Sequence, residues 1–88
     1  MENDQSINSF REQLEKHHVF PGNYTFKFIV PAMNIDQIKG ILPEEDIILR
    51  PSRNGNYISV TSSLSVESPE EVIRIYKEAS LIEGIIKL

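Results

Sequence analysis

The chain has 88 residues, no cysteine and a formal net charge of −4. That length supports one modest core, because a domain of this size buries only about 60–65% of its unfolded surface. Without cysteine there are no disulfides, thiolate metal sites or cysteine nucleophile, which fits a reducing compartment, and the negative balance disfavours a nucleic-acid partner, since phosphate binding draws on Lys and Arg. The start, Met1-Glu2-Asn3-Asp4-Gln5-Ser6, is polar and acidic, unlike a signal peptide. Apolar runs are only a few residues long, too short to span a bilayer. The expectation is a cytoplasmic protein with no membrane partner.

Residues 4–16 read as an amphipathic helix, with Ile7, Phe10 and Leu14 on one stripe and Arg11, Glu12, Glu15 and Lys16 elsewhere. Three apolar residues make a thin stripe, and the helix either docks on the domain or lies loosely beside it. Residues 1–18 are read as an N-terminal helical extension and residues 19–88 as the domain. Pro21-Gly22 marks a turn into a first strand, Tyr24 to Val30, where aromatic and β-branched residues alternate with Thr25, Lys27 and Ile29. Pro31 stops it. Asn34 has the pattern of an N-cap, with Gln37 at the capping-box position. Ile35, Ile38, Ile41 and Leu42 form the stripe of a short helix that Pro43 ends.

Residues 46–53 form a second strand around Ile47, Ile48 and Leu49, and residues 56–66 a third. Between them lies Asn54-Gly55, the strongest short hairpin signal, which predicts a two-residue type I′ turn with positive φ at both positions. That turn pairs Arg53 with Asn56. Counting outward sets Leu49 opposite Val60 and Ile47 opposite Ser62 on a core face, and Arg50 opposite Ser59 and Ile48 opposite Thr61 on an open face. Tyr57, Ser59, Thr61, Ser63 and Ser65 share the open face, joined by Ile29 and Lys27 if the strand-one aromatics point inward. This is a one-sided sheet. Its open face is a candidate for covering by the leading helix or by a second copy.

Ser68-Pro69-Glu70-Glu71 starts a second helix with an N-cap, a first-position proline and a capping-box glutamate. Val72, Ile75, Tyr76 and Ala79 are its buried stripe, with Ile73 beside it. Residues 84–88 close the chain as a fourth strand. The order β-α-β-β-α-β after the leading helix predicts an α+β, ferredoxin-like sandwich with antiparallel sheet order 4-1-3-2. Strand two is then an edge strand, where Pro51 is tolerated.

No catalytic constellation stands out. His17-His18 point about 100° apart on a helix and lack a third ligand, so no metal or cofactor is expected. Glu44-Glu45-Asp46, and Glu67 with Glu70-Glu71, fall in a turn and at a helix start, where acids complement the dipole. The serines at 59, 62, 63 and 65 lack a nucleophile elbow or a partnered histidine. Arg50, Arg53 and Lys27 are placed to form a small cationic spot for a carboxylate or phosphate, or to protect an edge strand from aggregation. The RRM module shares this element order, and Arg53-Asn54-Gly55-Asn56-Tyr57-Ile58-Ser59-Val60 faintly echoes its third strand. Single-stranded RNA binding by the open face is therefore the alternative function, although Ser59 and Thr61 stand where aromatic platforms are needed.

Phe20-Pro21, Tyr24-Thr25-Phe26-Lys27 and above all Pro51-Ser52-Arg53-Asn54-Gly55-Asn56-Tyr57-Ile58-Ser59-Val60 resemble the YbeD-like family of small bacterial proteins of unknown function, over residues 19–88. The resemblance implies an ACT-like fold and a regulatory role proposed to touch lipoate metabolism. It carries over no catalytic or ligand-binding residue set. The strand-one-to-helix turn, Val30-Pro31-Ala32-Met33-Asn34, lacks the glycine that ACT-type amino-acid sites favour. The expected function is that of a non-enzymatic binding or regulatory domain acting on a protein partner or a small molecule, with room for self-association. Arg50, Arg53 and Tyr57 are the candidate binding residues.

Overall fold

The computed structural model describes residues 4–43 and 46–88, with side chains from Ser6 onward. The acidic residues Glu44 and Glu45 lie outside the described residues. A helix α1 (Asp4–His17) leads into strand β1 (Gly22–Pro31), a single 3-10 turn (Ala32–Asn34), helix α2 (Ile35–Lys39), strands β2 (Ile47–Pro51) and β3 (Tyr57–Val66), helix α3 (Pro69–Ala79) and a two-residue strand β4 (Ile86–Lys87). The strands form one antiparallel sheet in the order β2-β3-β1-β4, which is the expected 4-1-3-2 read from the other edge and is compatible with a ferredoxin-like fold.

β1 is central because its sequence is the most apolar on alternate positions. Phe26, Phe28 and Val30 are each 0% exposed, and burial of each such side chain is worth about 1.5–3 kcal/mol. β1 pairs with β3 along its whole length, from Gly22↔Val66 to Pro31↔Tyr57. β3 adds Val60, Ser62 and Val66 to the same face, and α2, the turn after it and α3 cover it with Ile38, Leu42, Val72, Ile73, Ile75 and Ala79. β2 is an edge strand, as Pro51 requires, and pairs with β3 in the expected register: Ile47↔Ser62, Ile48↔Thr61, Leu49↔Val60 and Arg50↔Ser59. Leu49 nevertheless remains 39% exposed, because at the sheet edge it has neighbours on one side only.

The leading helix docks. Leu14 is buried in the common core, the Phe10 ring meets Tyr76 edge-on at 5.4 Å, and Arg11 Nε donates to Glu70 Oε2 at 2.7 Å across to the start of α3. α1 thus joins the helical layer and leaves the opposite face of the sheet bare. The open face is not covered by this helix, because the Ile7–Phe10–Leu14 stripe finds aromatic and aliphatic partners on the core side instead.

Local chemistry differs from expectation at three points. The type I′ turn does not form: Gly55 has φ +79°, but no non-glycine residue among those described has a positive φ, so Asn54 does not. Gly55 N instead donates to Ser52 O at 3.0 Å, closing a type I turn across Arg53 and Asn54. At the start of α2, Asn34 has φ −109° and ψ 12° and makes no side-chain cap, because the preceding 3-10 turn holds it out of the extended cap conformation. Its amide donates to Glu83 O at 3.0 Å, tying α2 to the end of the chain. At α3, Glu71 Oε1 accepts from Glu67 N at 3.0 Å, one residue earlier than a capping box would have it, and Ser68 makes no side-chain cap bond.

Candidate binding surface

The open face is assembled by strand registers. One cross-strand row runs Ile86, Ile29, Ser59, Arg50 from β4 to β2, and the next places Lys27, Thr61 and Ile48 side by side. Beyond them Thr25 Oγ1 and Ser63 Oγ share a hydrogen bond of 2.8 Å. Apolar side chains stand in water on this face: Ile48 is 63% exposed, Ile86 48% and Tyr57 45%. Hydroxyls separate them, and Arg50 and Lys27 flank them. A surface of this composition can bury apolar area against a partner while its hydroxyls and cations remain available for directional bonds.

The hairpin that bounds the face is braced by its own side chains. Ser52 Oγ donates to Asn54 Oδ1 at 3.0 Å and accepts from Tyr57 N at 3.1 Å, while Asn54 Oδ1 also accepts from Asn56 N at 3.1 Å. Ser52 N donates to Tyr57 O at 2.8 Å, and Ala32 N to Asn56 O at 2.9 Å. These bonds employ Ser52, Asn54, Gly55, Asn56 and Tyr57 together, so the run of residues beyond Asn-Gly has a structural purpose: it holds a wider turn in register and fastens its tip to the end of β1.

Of the candidate binding residues, Arg50 and Tyr57 share the open face, with Tyr57 two positions along β3 from the partner of Arg50. Arg53 belongs to the turn and is exposed there, outside the strand register. Tyr57 also borders a shallow recess of about 480 Å³ formed with Pro31, Ala32, Met33, Gly55 and Asn56. Met33, 89% exposed beside it, and Ile86 were not anticipated. The two-residue β4 has no periodicity from which its facing can be read, and Met33 sits in the turn between the first strand and the next helix, where no periodicity reports which way a side chain faces. Among the described aromatics only Tyr57 lies on the open face, since Tyr24, Phe26 and Phe28 point to the core side. Bases of an RNA strand would find no paired stacking platform there.

A second concavity lies on the other side, where α1, α3 and the β4 edge meet. It encloses about 440 Å³ and is lined by apolar residues of α1 and α3, by Tyr24 and Tyr76, and by Lys77, Ser80 and Lys87. The two tyrosine hydroxyls are 3.3 Å apart. Burial, and then the hydrogen bond with Tyr24, push the Tyr76 phenol well above the usual tyrosine range, so it stays protonated. His18 packs its ring on Tyr24 at a centroid distance of 5.0 Å and near Phe20 at 6.3 Å. Ser62 is 1% exposed and its hydroxyl has no partner among the described residues. At the α1–α3 junction the carboxyl of Glu70 is held below the usual glutamate range, first by its own backbone N–H and then by Arg11.

Residues 15–88 match the family described as protein of unknown function, DUF493, and the chain belongs to that family, consistent with the YbeD-like resemblance. No curated protein and no solved structure matches the chain. Among the described residues no helix is long and apolar enough to cross a membrane.

Proposed function

We propose that this DUF493 protein is a non-enzymatic, ACT-like binding domain of the cytoplasm, and that its open sheet face engages a protein partner in a regulatory role. The observation that carries this reading is the asymmetry of the sheet. One face holds the core, while the other leaves Ile48, Ile86 and Tyr57 in solvent beside Arg50 and Lys27. A broad, flat surface of separated apolar side chains, hydroxyls and cations suits a macromolecule better than a small ligand, which needs concavity. Arg50 and Tyr57 are the residues with which the face would recognise its partner, and Arg53 would extend that contact from the turn. A second copy of the chain is one form the partner can take.

The test compares wild-type protein with an Ile48→Glu, Tyr57→Ala variant, both substitutions being at exposed positions. Light scattering over a concentration series reads self-association, and affinity capture from lysate reads other partners. The reading expects the variant to lose a specific partner, or the dimer, that wild type retains. An identical partner set and an identical mass for both proteins would sink it. A thermal-shift screen against amino acids, lipoate and nucleotides separates the small-molecule alternative, since ligands stabilise the state they bind.

A further inference from the structure

β1 has two edges, and only one of them is paired throughout. All ten of its residues pair with β3, whereas β4 pairs with it at two positions, Phe28↔Lys87 and Ile29↔Ile86. Leu88 N donates to Lys27 O at 3.0 Å on the β4 side, and along a strand alternate residues point their N–H and C=O the same way. Thr25 and Asn23, two and four positions before Lys27, therefore direct their main-chain groups out of that same edge. Among the described residues no strand pairs with them there. Unpaired main-chain donors and acceptors in strand geometry are a template for a further strand.

The register of β4 fixes what a strand added in line with it would meet. Its residues opposite Thr25 and Asn23 would exchange main-chain hydrogen bonds with β1. The residue between them would stand opposite Tyr24, in a pair without hydrogen bonds, where side chains approach most closely. Tyr24 faces the helical side and lines the cleft between α1, α3 and β4, together with Tyr76, Phe10, Ile7 and Leu88. That cleft encloses about 440 Å³, which leaves room for a large apolar side chain. One extended segment can therefore satisfy the edge and fill the cleft at once. We infer that this edge of β1 takes up an extended peptide segment of a partner protein by strand addition at Asn23 and Thr25, with an apolar side chain seated in the cleft. The site lies at the opposite edge of the sheet from Ile48 and Arg50 of β2.

Amide exchange of the full-length, isotope-labelled protein tests the edge first. The Asn23 and Thr25 amides should exchange roughly a hundredfold faster than those of Tyr24 and Phe26, which face β3; equal protection would overturn the open edge. The probe is an acetylated, amidated heptapeptide with leucine at its centre, two threonines on each side and a lysine at each end, titrated while amide chemical shifts are followed. Saturable shifts are expected at Asn23, Thr25 and around Phe10, Tyr24 and Tyr76. N-methylation of the two threonines that flank the leucine should weaken binding roughly tenfold or more, the loss of two main-chain bonds. N-methylation of the leucine, whose N–H points away from β1, should cost far less, and equal losses would overturn strand addition. Serine in place of the leucine should weaken binding roughly tenfold, and unchanged affinity would overturn the seat in the cleft. No shift at several millimolar peptide would overturn the site, and concentration-dependent shifts at Asn23 and Thr25 without peptide would overturn it in favour of a second copy. The Ile48→Glu, Tyr57→Ala variant should bind the peptide as wild type does; loss of binding there would move the peptide to the open face and overturn the edge assignment.

Discussion

Replacing Asn54 by glycine separates two kinds of turn. In a type I′ hairpin both central residues need positive φ, and glycine serves there at least as well as asparagine. In the turn observed, Asn54 keeps a negative φ and its Oδ1 accepts from Ser52 Oγ at 3.0 Å and from Asn56 N at 3.1 Å. Asn54→Gly removes both bonds. They are exposed, so each is taken at the lower end of the usual range, giving about 1 kcal/mol together. Glycine's extra freedom in the unfolded chain adds roughly 0.5–1 kcal/mol. The sum, about 1.5–2 kcal/mol, corresponds to a fall in Tm of roughly 6–16 °C for a domain of this length. Thermal and urea unfolding by circular dichroism read the change, with an unaltered urea slope confirming that the native state is otherwise intact. A variant as stable as wild type, or more so, would refute the braced turn and restore the type I′ geometry.

Gly84 and Gly55 have nearly the same φ, +80° and +79°, but a Cβ at Gly84 would stand 2.8 Å from Pro31 Cγ whereas at Gly55 it meets nothing within 4 Å. Gly55→Ala should therefore cost only the left-handed penalty of about 1–2 kcal/mol, and Gly84→Ala measurably more, by the same unfolding assay; equal losses would contradict the packing of Pro31 on the 84 turn. Ser62→Ala removes a buried hydroxyl with no partner among the described residues and should raise stability by about 1 kcal/mol, while a loss above that size would mean the hydroxyl is bonded. The Tyr76 phenol has a raised folded-state pKa, so its stabilising contribution is complete below the unfolded tyrosine pKa of about 10 and is lost as pH rises beyond it. Tyr76→Phe should flatten the alkaline end of a stability–pH curve above about pH 10, and a curve parallel to wild type there would exclude Tyr76 as the source.

Much of the architecture is legible in one dimension because period-2 alternation is a local signal. Tyr24-Phe26-Phe28-Val30 and Ile58-Val60-Ser62-Leu64-Val66 sort themselves into a core face before any contact is known, and Pro51 marks its strand as an edge. The hairpin register also follows, because Ser52 pairs with Tyr57 about the same centre whether the loop holds two residues or four. The turn's conformation does not follow. It depends on side-chain oxygens competing for backbone N–H groups, and Ser52 and Asn54 win that competition only when both are in place. Capping at Asn34 fails because the 3-10 turn sets its backbone outside the cap conformation, while its Oδ1 accepts from Gln37 Nε2 and its amide reaches Glu83 O, 49 residues away.

The candidate site divides in the same way. Strand parity put Arg50, Ile48 and Tyr57 on one face, and composition alone disfavoured metal and thiol chemistry. Ile86 on that face, and the meeting of Phe10, Tyr24, Tyr76, Lys77 and Lys87 around a cleft, were decided only by tertiary structure. α1 reaches α3 because Leu14 and Phe10 gain more by burial against a formed core than the isolated helix could retain in water. The chain's own pattern determined which faces are apolar. Which apolar faces meet, and which one is left bare, required the whole fold, because that outcome depends on surfaces that exist only once the sheet has formed.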